Sequence, residues 1–174
     1  MLLNRNLLMR QLLLLVLIII SFGSCKSSKS TSKNKKTITK TTETKPLYKA
    51  NSIIDYAKKF EGVRYKYGGT TKKGMDCSGL IYTAFKNEHI ELPRTTKDLS
   101  ITGEWIDLKD VKKGDLLFFA TKKNSRKVNH VGIVTVSRTG YTEFIHATTS
   151  KGVITSLLSE RYWYFAFVQA RRIL

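Results

Sequence analysis

Beyond Gly114 the chain is a succession of short apolar or alternating segments, separated by glycines and polar turns. GDLLFFA at 114–120 is a continuous apolar run, and HVGIVTV at 130–136 and YTEFIHA at 141–147 flank a turn at Arg138, Thr139 and Gly140. GVITSLL follows from Gly152, and YWYFAFVQARRI ends the chain. Runs of this length, rich in Val, Ile and aromatics and joined by turns, predict antiparallel strands. The whole of YWYFAFVQARRI is read as strand-like with the rest.

The stretch before it has a helical period. In NSIIDYAKKF at 51–60, Ile53, Tyr56, Ala57 and Phe60 fall at i, i+3, i+4 and i+7, with Ser52 and Asp55 in capping-box positions. This predicts a first helix that ends near Gly62. VRYKYGGTTKKGMD, with Gly68, Gly69 and Gly74, predicts a loop. A second helix is expected from about Cys77 to Lys86, with Asp76 as N-cap and Leu80, Ile81, Ala84 and Phe85 as its buried face. From Pro93 to Gly114 the chain is polar and irregular. Helices first and antiparallel strands second give an α+β fold, and no internal repeat is present.

The 174 residues suffice for one domain with a real core. The front of the chain is read as targeting and tether. Arg5 and Arg10 precede an unbroken apolar run from Leu12 to Ile20. A spanning helix needs roughly 20 apolar residues, so the run suits a signal-peptide core. Phe22, Gly23 and Ser24 then lead to Cys25 in an arrangement that resembles a bacterial lipobox, with Phe22 where Leu is usual. On that reading residues 1–24 are a signal peptide and Cys25 is the lipidated first residue of the mature chain; the alternative is an ordinary secretory cleavage site. Residues 26–45, KSSKSTSKNKKTITKTTETK, are almost wholly Ser, Thr and Lys and cannot bury enough surface to offset their ordering entropy. Residues 25–45 are therefore expected to form a flexible tether, and residues 46–174 the domain.

Charge narrows the partners. The formal net charge is +18, of which the tether carries +6 and the leader +2, leaving +10 on residues 46–174. Export argues against nucleic acid, and the lysines are scattered without the aromatic interleaving of a stacking platform. Attraction to a polyanionic envelope and plain solubility both remain open. With Cys25 lipidated, Cys77 has no disulfide partner in the chain.

At the start of a helix, Cys77 would meet free backbone N–H groups and the positive end of the dipole, which lower a thiol pKa, while neighbouring Asp76 raises it. A base must come from one of three histidines. His89 lies in a polar stretch that suits a solvated helix end. His130 begins one strand and His146 lies near the end of the next, so a hairpin about residues 138–140 would bring the two imidazoles together at one end of the sheet. That is the layout of a nucleophile, a base and a group that orients the base. Inert packing of Cys77 and a zinc site are the alternatives, although no close ligand pair such as CxxC is present.

RYKYGGTTKKGMDCSGLI, LPRTT at 92–96, GDLLFF at 114–119, NHVGIV at 129–134 and FIHA at 144–147, in this order, strongly resemble the NlpC-type cell-wall peptidases, a papain-like family. The resemblance covers nearly all of residues 51–172. It implies a papain-like fold with N-terminal helices packed on a central antiparallel sheet. It also implies Cys77 as nucleophile, His130 as general base and acid, and His146 as the residue that orients His130. Tyr67, Asp76 and Ser78 would contact the peptide, with Arg94 near the site; Lys113 stands where the family usually has Pro before Gly-Asp-Leu. The implied reaction is hydrolysis of a peptidoglycan stem peptide through a Cys77 thioester, without metal or cofactor, by a monomer anchored through lipid in the cell envelope, at the outer membrane and facing the periplasm. The bond is either D-glutamate to the diamino acid or a cross-link from the diamino acid to D-alanine. A non-catalytic envelope-binding lipoprotein, or an amidase or acyltransferase on another envelope substrate, are the rival readings.

Overall fold

The computed structural model describes residues 45–174. The apolar leader, Cys25 and the tether up to residue 44 lie outside the described residues.

Helix α1 spans Lys45–Lys58 and so begins well before Ser52. Pro46 sits in its first turn, where a missing N–H costs no hydrogen bond, and Ala50 extends the buried stripe of Ile53, Ile54 and Ala57. Ser52 is therefore interior to the helix, and its hydroxyl donates to Glu88 instead of capping. The segment expected as a loop contains a small antiparallel hairpin, β1 (Thr70–Thr71) and β2 (Gly74–Met75). Backbone bonds Met75 N–H to Arg64 O and Lys66 N–H to Met75 O, both 3.1 Å, strap it to the incoming chain.

Helix α2 spans Cys77–Lys86 with Asp76 as N-cap, and Leu80, Ile81, Ala84 and Phe85 are fully buried, as the periodicity predicts. The irregular stretch after Pro93 holds a single turn of helix, α3 (Thr96–Leu99), then β3 (Glu104–Ile106) and a 3₁₀ turn at Leu108–Asp110. These pieces are too short for any periodicity to show. Strands β4 (Leu116–Phe119), β5 (His130–Arg138), β6 (Tyr141–Thr148) and β7 (Gly152–Leu157) follow. Helix α4 (Arg161–Ala166) and strand β8 (Phe167–Arg172) complete the fold.

The chain's end thus departs from the strand reading. Trp163 and Ala166, three residues apart, are buried, whereas Tyr162, Tyr164 and Phe165 are exposed. That is helical spacing within a run of aromatics whose β propensity suggests otherwise.

The sheet is antiparallel in the order β3-β8-β4-β5-β6-β7. Alternation along its strands divides the core in two. Leu116, Phe118, Val131, Ile133, Ile145, Ala147 and Val153 pack against α1 and α2. Leu117, Phe119, Val134, Phe144 and Ala170 face Trp163 and Ala166 of α4. Among the described residues no helix is long and apolar enough to cross a membrane.

Candidate active site

The first residue of α2 is Cys77, and Asp76 fixes its position. One carboxylate oxygen accepts the Gly79 N–H at 2.7 Å, capping the helix, and the other accepts the Gly68 N–H at 2.6 Å from the turn that leads into the hairpin. The Arg94 guanidinium closes on both oxygens at 2.9 and 3.0 Å and also donates to Ser78 Oγ at 2.8 Å and to Gly69 O at 3.3 Å. A buried carboxylate, 6% exposed, is thereby neutralised and fully hydrogen-bonded. Gly79 fits because a Cβ there would lie 2.1 Å from Gly69 O. The glycines of Tyr-Gly-Gly and Asp-Cys-Ser-Gly thus interlock, and they hold the cysteine at the junction of loop and helix.

The structure brings Asp76, Ser78 and Arg94 into one network beside Cys77, while Tyr67 stands on the loop surface at 88% exposure. Tyr65, not singled out in the sequence, is half-buried against the core cluster that contains Cys77. Burial raises its phenol pKa, and the nearby Cys77 and Asp76 add to the effect. Nothing in RYKYGG distinguishes the two tyrosines except which one the strap to Met75 turns inward.

Cys77 is only 7% exposed. Its sulfur lies 3.6 Å from the Thr96 hydroxyl, which α3 supplies. Burial pushes the thiol up, with the Asp76 charge adding to it, against hydrogen bonds from Thr96 and from the backbone of Val131 and Ser78. The sequence sets the helix start against Asp76 without deciding between them; in the fold, desolvation of the thiolate outweighs the groups that favour it. The sulfur's described hydrogen bonds run to these groups and not to the His130 ring.

Val131 directly follows His130, so the start of α2 abuts the end of β5 at which the histidines lie. The hairpin forms as the spacing predicts, with Arg138 opposite Tyr141, and His130 Nε2 meets His146 Nδ1 at 2.9 Å. Gly132 permits the approach, since a Cβ there would lie 2.6 Å from the Phe144 ring and 3.2 Å from His146 Cβ. Trp163 stacks on His130 with ring centroids 5.4 Å apart at 22° and meets His146 edge-on at 4.6 Å. Phe119 and Phe144 complete the wall.

In this apolar cage burial lowers His130 to about 4 and His146 to about 3, His130 adding to the second shift. The resting site therefore holds a protonated thiol and two neutral imidazoles at neutral pH. Beyond the pair, His146 Nε2 lies 3.1 Å from Ser156 Oγ on β7. Trp163, Thr96, Tyr65 and Ser156 are the neighbours that sequence reasoning missed. His89 is exposed, in the left-handed region at φ 58°, and takes no part.

A His donating to or accepting from another His cannot turn the same nitrogens to a common metal ion. Among the described residues no group of three or more His, Cys, Asp or Glu could hold one. What the arrangement can do is nucleophilic chemistry: a cysteine at a helix start that abuts the strand end carrying a buried imidazole, and a second imidazole that fixes the first.

Known proteins are similar to this chain. The NlpC/P60 family model matches residues 62–172. A Haemophilus influenzae protein named "Probable endopeptidase NlpC homolog" is 45% identical over 114 residues, covering 65% of this chain and 57% of its own. The Escherichia coli "Murein DD-endopeptidase MepS/Murein LD-carboxypeptidase" is 40% identical over 123 residues, covering 70% and 62%. The matches thus span somewhat less than two thirds of these two relatives. Among solved structures, an NlpC/P60 family protein from Bacillus cereus superposes with TM-score 0.64 at 31% identity, covering 71% of this chain and 39% of that one. A lipoprotein-like NLP/P60 family protein from Staphylococcus aureus gives 0.63 at 28%, covering 90% and 48%.

Proposed function

Because the chain belongs to the NlpC/P60 family, we propose that it is a cysteine peptidase that hydrolyses an amide bond in the stem peptides of peptidoglycan. The observation that carries this reading is the buried His130–His146 pair set against the helix start at Cys77.

In the proposed mechanism His130 has one ring nitrogen, Nδ1, left free by the bond to His146, and this nitrogen takes the Cys77 proton as sulfur attacks the scissile carbonyl. The thiol is high and the imidazole low in the resting state, so proton transfer accompanies attack instead of preceding it. The Cys77 backbone N–H at the helix start stabilises the oxyanion. The imidazolium of His130, stacked on Trp163, then protonates the leaving amine, and a thioester to Cys77 remains. His130 next takes a proton from water, whose oxygen attacks the thioester and releases the acyl group and the free thiol. No metal or organic cofactor enters.

Tyr67, Ser78 and Arg94 are the proposed substrate contacts on the loop side. Asp76, whose oxygens are all engaged, serves this group by holding Ser78 and Arg94 in place. Of the two candidate bonds, the cross-link from the diamino acid to D-alanine is favoured by the likeness to the murein DD-endopeptidase. Lipidation at Cys25 and the basic tether would confine the enzyme at the envelope, at the outer membrane facing the periplasm, where a high effective concentration offsets weak affinity.

The test incubates the full chain and its Cys77→Ala variant with peptidoglycan fragments and identifies products by mass spectrometry. New stem fragments from the parent alone are expected, carrying an oxygen-18 atom at the new carboxyl when the reaction is run in oxygen-18 water. Binding without products would favour the non-catalytic envelope lipoprotein, and a transferred acyl group would favour the acyltransferase.

A further inference from the structure

The histidine pair does not end the polar chain. Ser156 is 7% exposed on β7, His146 is fully buried on β6, and their polar atoms meet at 3.1 Å. The register sets Ile154 opposite His146 and Ser156 opposite Phe144, so Ser156 is the diagonal neighbour of His146. We propose that Ser156 is a positioning residue that supplies the terminal acceptor of the hydrogen-bond relay His130–His146–Ser156, and thereby supports the tautomer in which His130 can accept the Cys77 proton. The inference rests on the peptidase reading above and adds a fourth member to its machinery.

A neutral imidazole carries a single N–H. For His130 to receive a proton on Nδ1, its own must lie on Nε2, where it donates to His146 Nδ1 at 2.9 Å. His146 must then be bare at Nδ1 and protonated at Nε2, and its Nε2–H needs an acceptor. The Ser156 hydroxyl oxygen is placed to accept it, in a site where His146 has no access to water.

Without the hydroxyl, an Nε2–H on His146 would be buried and unsatisfied, which disfavours that tautomer. The other tautomer puts the proton on His146 Nδ1, donating to His130 Nε2. This moves the His130 proton to Nδ1, against the thiol, where it blocks acceptance. The aromatic wall of Phe144 and Trp163 around His146 offers no acceptor of comparable strength.

The tautomers are measured directly by long-range ¹H–¹⁵N spectra of the full chain, labelled in histidine and held in detergent micelles at pH 7.5. Both His130 and His146 should carry their proton on Nε2. In Ser156→Ala both should shift towards the Nδ1–H form. The kcat for stem-peptide cleavage should fall with KM unchanged, by up to about 10⁴-fold, the cost of a wrong tautomer in a comparable relay. Ser156→Thr, which keeps the hydroxyl, should restore tautomers and kcat together. A parent protein with His146 protonated on Nδ1, or a Ser156→Ala variant with unchanged tautomers, would overturn the proposal even if that variant were slower or less stable. The expected tautomers in a parent that cleaves no stem peptide would support the relay and count against the peptidase reading.

Discussion

Acid should weaken this fold through the two imidazoles at its centre. Each has an ordinary pKa near 6.5 in the unfolded chain and a lower one in the fold, about 4 for His130 and about 3 for His146. Between these values the unfolded chain binds protons that the native one refuses, so unfolding is favoured progressively as pH falls below 6.5. One such ring takes about 2 kcal/mol from stability between pH 7.5 and 5, and two take about 4. Because the rings share a hydrogen bond and titrate as a pair, the two-ring figure is the upper bound. Against a typical stability of about 5–15 kcal/mol this is a large fraction.

The assay is urea unfolding of the full chain in micelles at pH 7.5, 6.5, 5.5 and 5.0, followed by tryptophan fluorescence, to which Trp163 beside the pair contributes. The range stays above most carboxylate titrations, which centre near 4. A loss of about 2–4 kcal/mol at constant m value is expected, and His146→Gln should roughly halve the slope with pH. Stability that stays level or rises from pH 7.5 to 5 would refute the claim that both rings are buried and neutral.

Three further outcomes follow from the same geometry. Alkylation of Cys77 by iodoacetamide should accelerate about tenfold per pH unit between pH 6 and 8, since the thiol is raised by burial; a rate independent of pH there would mean a preformed thiolate. Gly132→Ala drives a Cβ to 2.6 Å from the Phe144 ring, so stability should drop by about 1–3 kcal/mol and cleavage of peptidoglycan fragments should fall with it, read by calorimetry and product assay. Arg94→Ala strips the guanidinium from buried Asp76 but leaves two backbone donors, and should cost about 2 kcal/mol in urea unfolding; Arg94→Lys should recover little, because a single ammonium cannot serve Asp76, Ser78 and Gly69 together.

Much of the site was legible because its parts obey local rules. Asp76 caps a helix whose buried face repeats at helical spacing, and a turn around Gly140 dictates that His130 and His146 share one end of a hairpin. What escaped reading depends on contacts distant in sequence. Thr96 reaches Cys77 from a single helical turn, Trp163 reaches His130 from a run that mimics a strand, and Ser156 is one hydroxyl in a strand of ordinary pattern. No period or motif marks a residue whose role is set by what the sheet order places beside it.

The same distinction explains why the resting charge of the thiol was not legible in the sequence. A helix start is a local feature and argues for a thiolate, whereas burial is a tertiary one, and here it governs the resting charge. Sheet and helices close over Cys77, His130 and His146 together, leaving all three neutral. A neutral site of this kind needs its proton directions set in advance, because no resting ion pair is present to orient the rings. The pairing of His130 with His146, and of His146 with Ser156, supplies that order in a place where water cannot, and the apolar wall that suppresses charge in the free enzyme also makes each of those hydrogen bonds costly to lose.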